Sequence, residues 1–236
     1  MVRLCVCRLR LHSGASVSAQ ALERALFCLE QMGLSQKELD CLRSMRNADA
    51  QAQSVGARLS LAHLLCADQQ TDNGIMLRYF DDAPYVSDSD MPLATLCRTD
   101  KGAPTLARTF VPTAISFAHS HEMAVCAMTQ GGRIGVDVEP LSRRVARAEE
   151  IVARCFSEGE RAALSAAADR EDAFLRIWTR KEALGKALGT GLNADAAALD
   201  TEAHPDGHFL EWTVEGKLVT VCLLNEKPDD CFRSKA

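Results

Sequence analysis

The chain lacks any excess of basic residues: 236 residues carry 27 Lys and Arg against 32 Asp and Glu, a formal net charge of −5. Proteins whose whole surface follows phosphate backbones run basic, so nucleic acid is not an expected partner and only a local basic patch stays open. A run of roughly 18 uninterrupted apolar residues, the length a membrane-spanning helix needs, is also missing, so no membrane partner is expected. The apolar opening stretch is broken by Arg3, Arg8 and Arg10 and does not read as a signal-peptide core. No C-x-x-C occurs among the ten cysteines, and most of them lie inside apolar runs such as 123–128. They read as reduced thiols packed as small hydrophobes, and a cytoplasmic location is the expectation. Internal repeats and low-complexity segments are absent. With 47% hydrophobic and 25% charged residues, disorder, collagen and coiled coil are excluded.

What is present is a mixture of strand and helix signals. At ~150 residues per domain, the length predicts one large domain or two small ones. Residues 2–11 read as a strand, and Ser18 as the cap of a helix that Gly33 stops. Ser35-x-x-Glu38 has the capping-box spacing for a second helix, and Asn47 or Asp49 opens a third. Residues 75–80 read as a strand, and 81–113 as a loop-rich stretch holding Pro84, Pro92, Pro104 and Pro112. Strands follow at 114–119, 123–129 and 133–139, with Gly131-Gly132 as a hairpin-type turn between the last two. Ser157-x-x-Glu160 is another capping box, residues 172–188 are the most helical stretch, and Glu215-Gly216 joins strands near 208–214 and 217–224.

The chemistry-bearing residues cluster late in the chain. In Ile134-Gly135-Val136-Asp137-Val138-Glu139-Pro140 the two carboxylates are two apart, so on a strand both face one side. Like charges side by side repel unless a cation lies between them, and carboxylate oxygens suit Mg²⁺. The plainer reading is a solvated strand terminus. In Trp178-Thr179-Arg180-Lys181-Glu182-Ala183-Leu184-Gly185-Lys186, Glu182 and Lys186 are four apart on one helix face. They are either a surface ion pair or a metal ligand and an anion-gripping lysine, and spacing alone leaves both open.

These motifs, with Phe156-Ser157-Glu158-Gly159-Glu160 between them and Ile115-Ser116-Phe117-Ala118-His119-Ser120 upstream, resemble the Sfp-type 4′-phosphopantetheinyl transferases. The resemblance is specific over 115–192 and weak over 1–90. It implies an α+β fold of two similar halves, 1–112 and 113–236, forming a pseudo-dimer with coenzyme A in the cleft between them, and a monomeric chain. It implies transfer of 4′-phosphopantetheine from coenzyme A to a serine of an apo acyl or peptidyl carrier protein, releasing adenosine 3′,5′-bisphosphate. Asp137, Glu139 and Glu182 are then the Mg²⁺ ligands, and Lys186 contacts the phosphates. Glu182, or a metal-bound water, takes the serine proton, and His119 reaches the 3′-phosphate of coenzyme A. Phe156 and Trp178 are packing residues, and His121 a surface residue.

The chain departs from the family pattern at two places. Lys101-Gly102-Ala103-Pro104 stands where members have G-K-P, so Lys101 is a displaced candidate for a phosphate contact. Asp49-Ala50-Gln51-Ala52-Gln53 stands where many have an arginine, leaving Lys37, Arg43, Arg46 or Arg58 as substitutes or as solvated helix residues. Arg143, Arg144, Arg147 and Arg154 are a carrier-facing patch or a basic face balanced by Glu149 and Glu150. Two rivals remain: a Mg²⁺-dependent pyrophosphate or phosphodiester hydrolase, and a non-catalytic relative that only binds coenzyme A.

Overall fold

The computed structural model describes residues 2–66, 75–82, 84, 92–100, 102–107, 109, 111–143, 147–192 and 196–225. Strand β1 (Val2–Arg8) is buried through its middle and lies inside a sheet. Three helices follow: α1 (Ala19–Gln31), α2 (Gln36–Arg43) and α3 (Ala48–Cys66). Ser18 Oγ caps α1 by accepting from the Ala21 amide at 3.1 Å. Ser35 caps α2 in the same way, but the return arm of the capping box is not made. Glu38 instead turns inward and accepts from Arg58 and Arg98. Burial alone would raise its carboxyl, but the hydrogen bonds from Arg98 and Arg58 outweigh that and hold it below the usual range. Arg58 is therefore a buried structural cation, not the solvated helix residue or stand-in ligand expected of it.

The helices carry the chain over to β2 (Ile75–Tyr79), which pairs parallel to β1. Strands β3 (Leu96–Arg98) and β4 (Pro104–Leu106) form a small antiparallel pair inside the stretch expected to be loop. Next come β5 (Thr113–Ser120) and β6 (Met123–Gln130), joined by the two-residue turn His121-Glu122 with His121 at φ 48°. The sheet order is β2-β1-β6-β5. Helix α3 packs across β1 and β6, and this explains its buried surface nearly all the way round.

Gly131-Gly132 does not close a hairpin. Both glycines adopt positive φ, but β6 pairs with β1 and β5, whereas β7 (Arg133–Pro140) pairs with β9 (Lys217–Leu224) in a second sheet. That sheet has the order β7-β9-β8, and β8 (Gly207–Val214) meets β9 across Glu215-Gly216, both at positive φ, as expected of a tight hairpin. Helices α4 (Ala148–Cys155), α5 (Glu158–Ala166) and α6 (Arg170–Leu188) lie between β7 and β8 in sequence. The Ser157 capping box is complete, with both reciprocal bonds present. The fold is α+β, as expected.

Contacts divide the chain into Met1–Gln130 and Gly131–Ala236. The division falls after β6, not at the expected 112/113, because β5 and β6 complete the sheet that β1 begins. Phe156 is fully buried and stacks on Phe174 with centroids 5.3 Å apart, while Trp178 packs beside them, as expected of packing residues. Of the nine described cysteines, all are free thiols and four are buried. Burial pushes Cys5 and Cys222 up to about 12, which makes them inert.

Candidate active site

Strand β7 and helix α6 approach closely enough to put their functional residues against one another. Gly135 allows this: a Cβ there would overlap the Ala183 carbonyl oxygen and come within 2.6 Å of the Ala187 amide nitrogen. Val136 and Val138 face the core, and Asp137 and Glu139 project from the other side of the strand. Helix α6 is fixed at its start by Asp169, which accepts from the Glu171 and Asp172 amides, and at its end by Gly189 at φ 70°. Inside it, Thr179 Oγ1 accepts from Thr220 Oγ1 at 2.9 Å, tying α6 to β9 at the register partner of Asp137.

Lys186 does not bridge to Glu182. Its ammonium donates to Asp137 Oδ1 and to the Val136 carbonyl, both at 2.9 Å. Asp137 Oδ2 is buried and has no hydrogen-bond partner among the described residues. Glu139 is paired with Arg143 four residues on. Glu182 is pushed above the usual carboxylate range by burial and then by the neighbouring charge of Asp137, against the opposing pull of Lys186 and Arg143. The structure thus brings Asp137, Glu182 and Lys186 together and draws Glu139 to Arg143.

Among the described residues no three His, Cys, Asp or Glu side chains gather closely enough to hold a metal ion. The donor chemistry nonetheless fits a hard cation at Asp137 and Glu182. A buried carboxylate oxygen without a partner and a second carboxyl strained by its charge both gain from a cation placed between them. Glu139 joins that set only if it parts from Arg143.

The remaining candidates lie apart in sequence. His119 is exposed at the end of β5, registered opposite Ala124. His121 is exposed at the turn, as expected of a surface residue. Lys101 and Arg144 lie outside the described residues. Arg147 is exposed, begins α4 at φ 61°, and pairs with Glu150 at 3.8 Å, while Glu149 pairs with Arg170. Arg154 is exposed in the last turn of α4.

Two motif residues turn out to have a role that the sequence did not assign. Glu160 and Lys181 are both fully buried and paired at 2.7 Å. Glu160 also accepts from the Ser157 amide at 2.8 Å, the Thr201 amide at 2.9 Å and Thr201 Oγ1 at 2.8 Å. Lys181 also donates to the Leu199 carbonyl at 2.5 Å. A buried charge needs such saturation to survive loss of water. The pair locks α5 and the 199–201 segment onto α6, one residue before Glu182. The signal that could have found them is a glutamate and a lysine placed on apolar helix faces, Glu160 with Leu164 and Lys181 with Ile177.

Comparison with known proteins places these residues in one segment. Residues 133–223 match the 4′-phosphopantetheinyl transferase superfamily. A curated relative, the 4′-phosphopantetheinyl transferase HetI of Nostoc sp. strain PCC 7120, is 34% identical over 96 residues, which span 39% of this chain and 40% of that protein. The holo-[acyl-carrier-protein] synthase of Thermotoga maritima, a solved structure, is 22% identical with a TM-score of 0.29, covering 40% of this chain and 64% of that one. Asp137, Glu139, Glu182 and Lys186 all lie in the segment that matches the 4′-phosphopantetheinyl transferase superfamily.

Proposed function

We propose that this chain transfers 4′-phosphopantetheine from coenzyme A to a serine of an apo acyl or peptidyl carrier protein, with Mg²⁺ as cofactor. The observation that carries the reading is the meeting of Asp137, Glu182 and Lys186 across the β7–α6 contact, inside the segment that matches the superfamily. Asp137 and Glu182, with Glu139, would hold the cation. When bound, the ion supplies charge neutralisation on the phosphoryl oxygens and the leaving group. Lys186 offers an ammonium to the same diphosphate, as a point charge on a flexible stem.

The carrier serine attacks the pantetheine-bearing phosphorus, and the bond to the second phosphate breaks. Adenosine 3′,5′-bisphosphate leaves. The serine proton needs an acceptor, and by family resemblance it is Glu182 or a water on the cation. Burial and Asp137 make the Glu182 carboxylate more basic only while no cation is bound to it, which favours the water once the ion is in place. The rest of catalysis is positioning and electrostatic stabilisation. His119 and Lys101 are assigned to the phosphates of coenzyme A by family resemblance, and exposed Arg147 and Arg154 offer a basic surface to an acidic carrier.

The test is mass spectrometry of several apo carrier proteins after incubation with the chain, coenzyme A and Mg²⁺. The expected result is a phosphopantetheine adduct on a carrier serine, lost with chelator. Glu182→Gln should cut kcat by about 10²–10⁴-fold with the circular dichroism unchanged. Cleavage of coenzyme A without any carrier adduct would replace this reading by the hydrolase.

A further inference from the structure

The three carboxylates come with two cations of their own. Lys186 holds Asp137 Oδ1 at 2.9 Å, and Arg143 holds Glu139. Glu182 lies within the field of both cations and accepts no hydrogen bond from either. Among the described residues one negative charge is thus left without a paired cation, and Asp137 Oδ2 without a partner. The Lys186 and Arg143 side chains are 31% and 34% exposed, so each can swing toward solvent without opening the core. A divalent cation held by these carboxylates would compete with both for the same oxygens. A polyphosphate attracts both away from them.

We propose that Lys186 and Arg143 are exchangeable counter-ions that make divalent-cation binding and polyphosphate binding depend on each other. When phosphate arrives, each basic side chain leaves its carboxylate for a phosphate oxygen, and the vacated carboxylate oxygens accept the cation. Linkage then requires the cation to raise polyphosphate affinity by the same factor as polyphosphate raises cation affinity. The inference rests on the cation reading given under Proposed function, and it adds that the ligand-free site is held in a low-affinity state by its own side chains.

The test is binding of Mn²⁺, followed by electron paramagnetic resonance of the free ion, and binding of coenzyme A by calorimetry with and without Mn²⁺. In the full chain, Mn²⁺ should tighten coenzyme A binding by at least about fivefold. Lys186→Met should bind Mn²⁺ alone at least about fivefold tighter than the unmodified chain, and its coenzyme A affinity should respond less to Mn²⁺. Arg143→Met should shift both quantities in the same directions. Lys186→Arg keeps the charge and should restore the weak Mn²⁺ affinity, which excludes a merely structural effect. If the unmodified chain binds Mn²⁺ but Lys186→Met binds it no better, the counter-ion role is overturned and the cation site stands. If neither protein binds Mn²⁺ with or without coenzyme A, the cation reading falls and the inference with it.

Discussion

Asp137 Oδ2, His63 Nε2 and His204 Nδ1 are buried polar atoms without a hydrogen-bond partner among the described residues. For Asp137 one oxygen is held by Lys186 and the other faces a site that, on the proposed reading, a cation would complete. His63 is different. It sits in α3 beside Arg78 and hydrogen-bonds the backbone of Asp82. Burial, reinforced by Arg78 and opposed by Asp82, takes the imidazole from its ordinary 6.5 down to about 4. The folded state therefore holds this proton less tightly than the unfolded chain does. Above pH ~6.5 both forms are neutral and nothing is lost. As the pH falls from about 6.5 to about 4, the unfolded chain gains the proton first and stability declines, by about 3 kcal/mol at most. Urea unfolding at pH 7.5 and pH 4.5 should show that decline in the native chain and a smaller one in His63→Gln. Equal slopes in the two proteins would remove His63 from the account. Nothing in the residue pattern marked this histidine, whose helix is buried on nearly every side. It did single out Asp137, Glu139, Glu182 and Lys186, because family motifs mark residue types. What motifs do not mark is pairing: the four-residue spacing suggested Lys186 with Glu182, and the strand beneath the helix offered Asp137 instead.

At the scale of elements the close β7–α6 contact decides whether the site exists, and Gly135 decides the contact. Most of the elements were legible, because caps and glycine stops announce themselves: Ser18, Ser157 and Gly189 all do what their positions suggest. Three elements were not. Strands β3 and β4 are three residues each, too short for any alternation to register. Helix α4 begins at Arg147 in the left-handed region with no side-chain cap, so it has no start signal. The role of Gly135 was hidden for a related reason: a glycine inside a strand reads as a weakness until the neighbouring helix is seen lying on it. Replacing it by alanine forces a methyl group into the Ala183 carbonyl and lifts α6 from the strand. Gly135→Ala should cost about 3 kcal/mol or more in unfolding free energy, since backbone atoms cannot yield as a side-chain tip does. Any protein that still folds should also lose activity out of proportion, because Glu182 and Lys186 move with the helix. A Gly135→Ala protein with unchanged melting temperature and unchanged kcat would show that the contact is loose.

The whole molecule divides where the sheets divide. Residues from Cys5 to Met128 form one continuous apolar core, and the residues after Gly131 build their own around Phe156 and Phe174 and around Leu184 and Cys222. The change of texture after Pro112 suggested a boundary there, and that signal was real as a change of local structure: loop gives way to strand. It does not follow that the preceding part is complete. β6 is buried along its length, pairs with β1 on one side and β5 on the other, and supplies Ala124, Cys126 and Met128 to the first core. A fragment ending at 112 lacks both strands, so β1 is left with an open edge and α3 with half its seat. Unpaired, hydrophobic strand edges are templates for aggregation. A fragment of residues 1–130 keeps the sheet whole and should show a cooperative thermal transition by circular dichroism. The fragment 1–112 should aggregate or show no cooperative transition. Equal cooperativity in the two would mean that the first core closes without β6, and the division of the chain would then lie at the proline and not at the sheet.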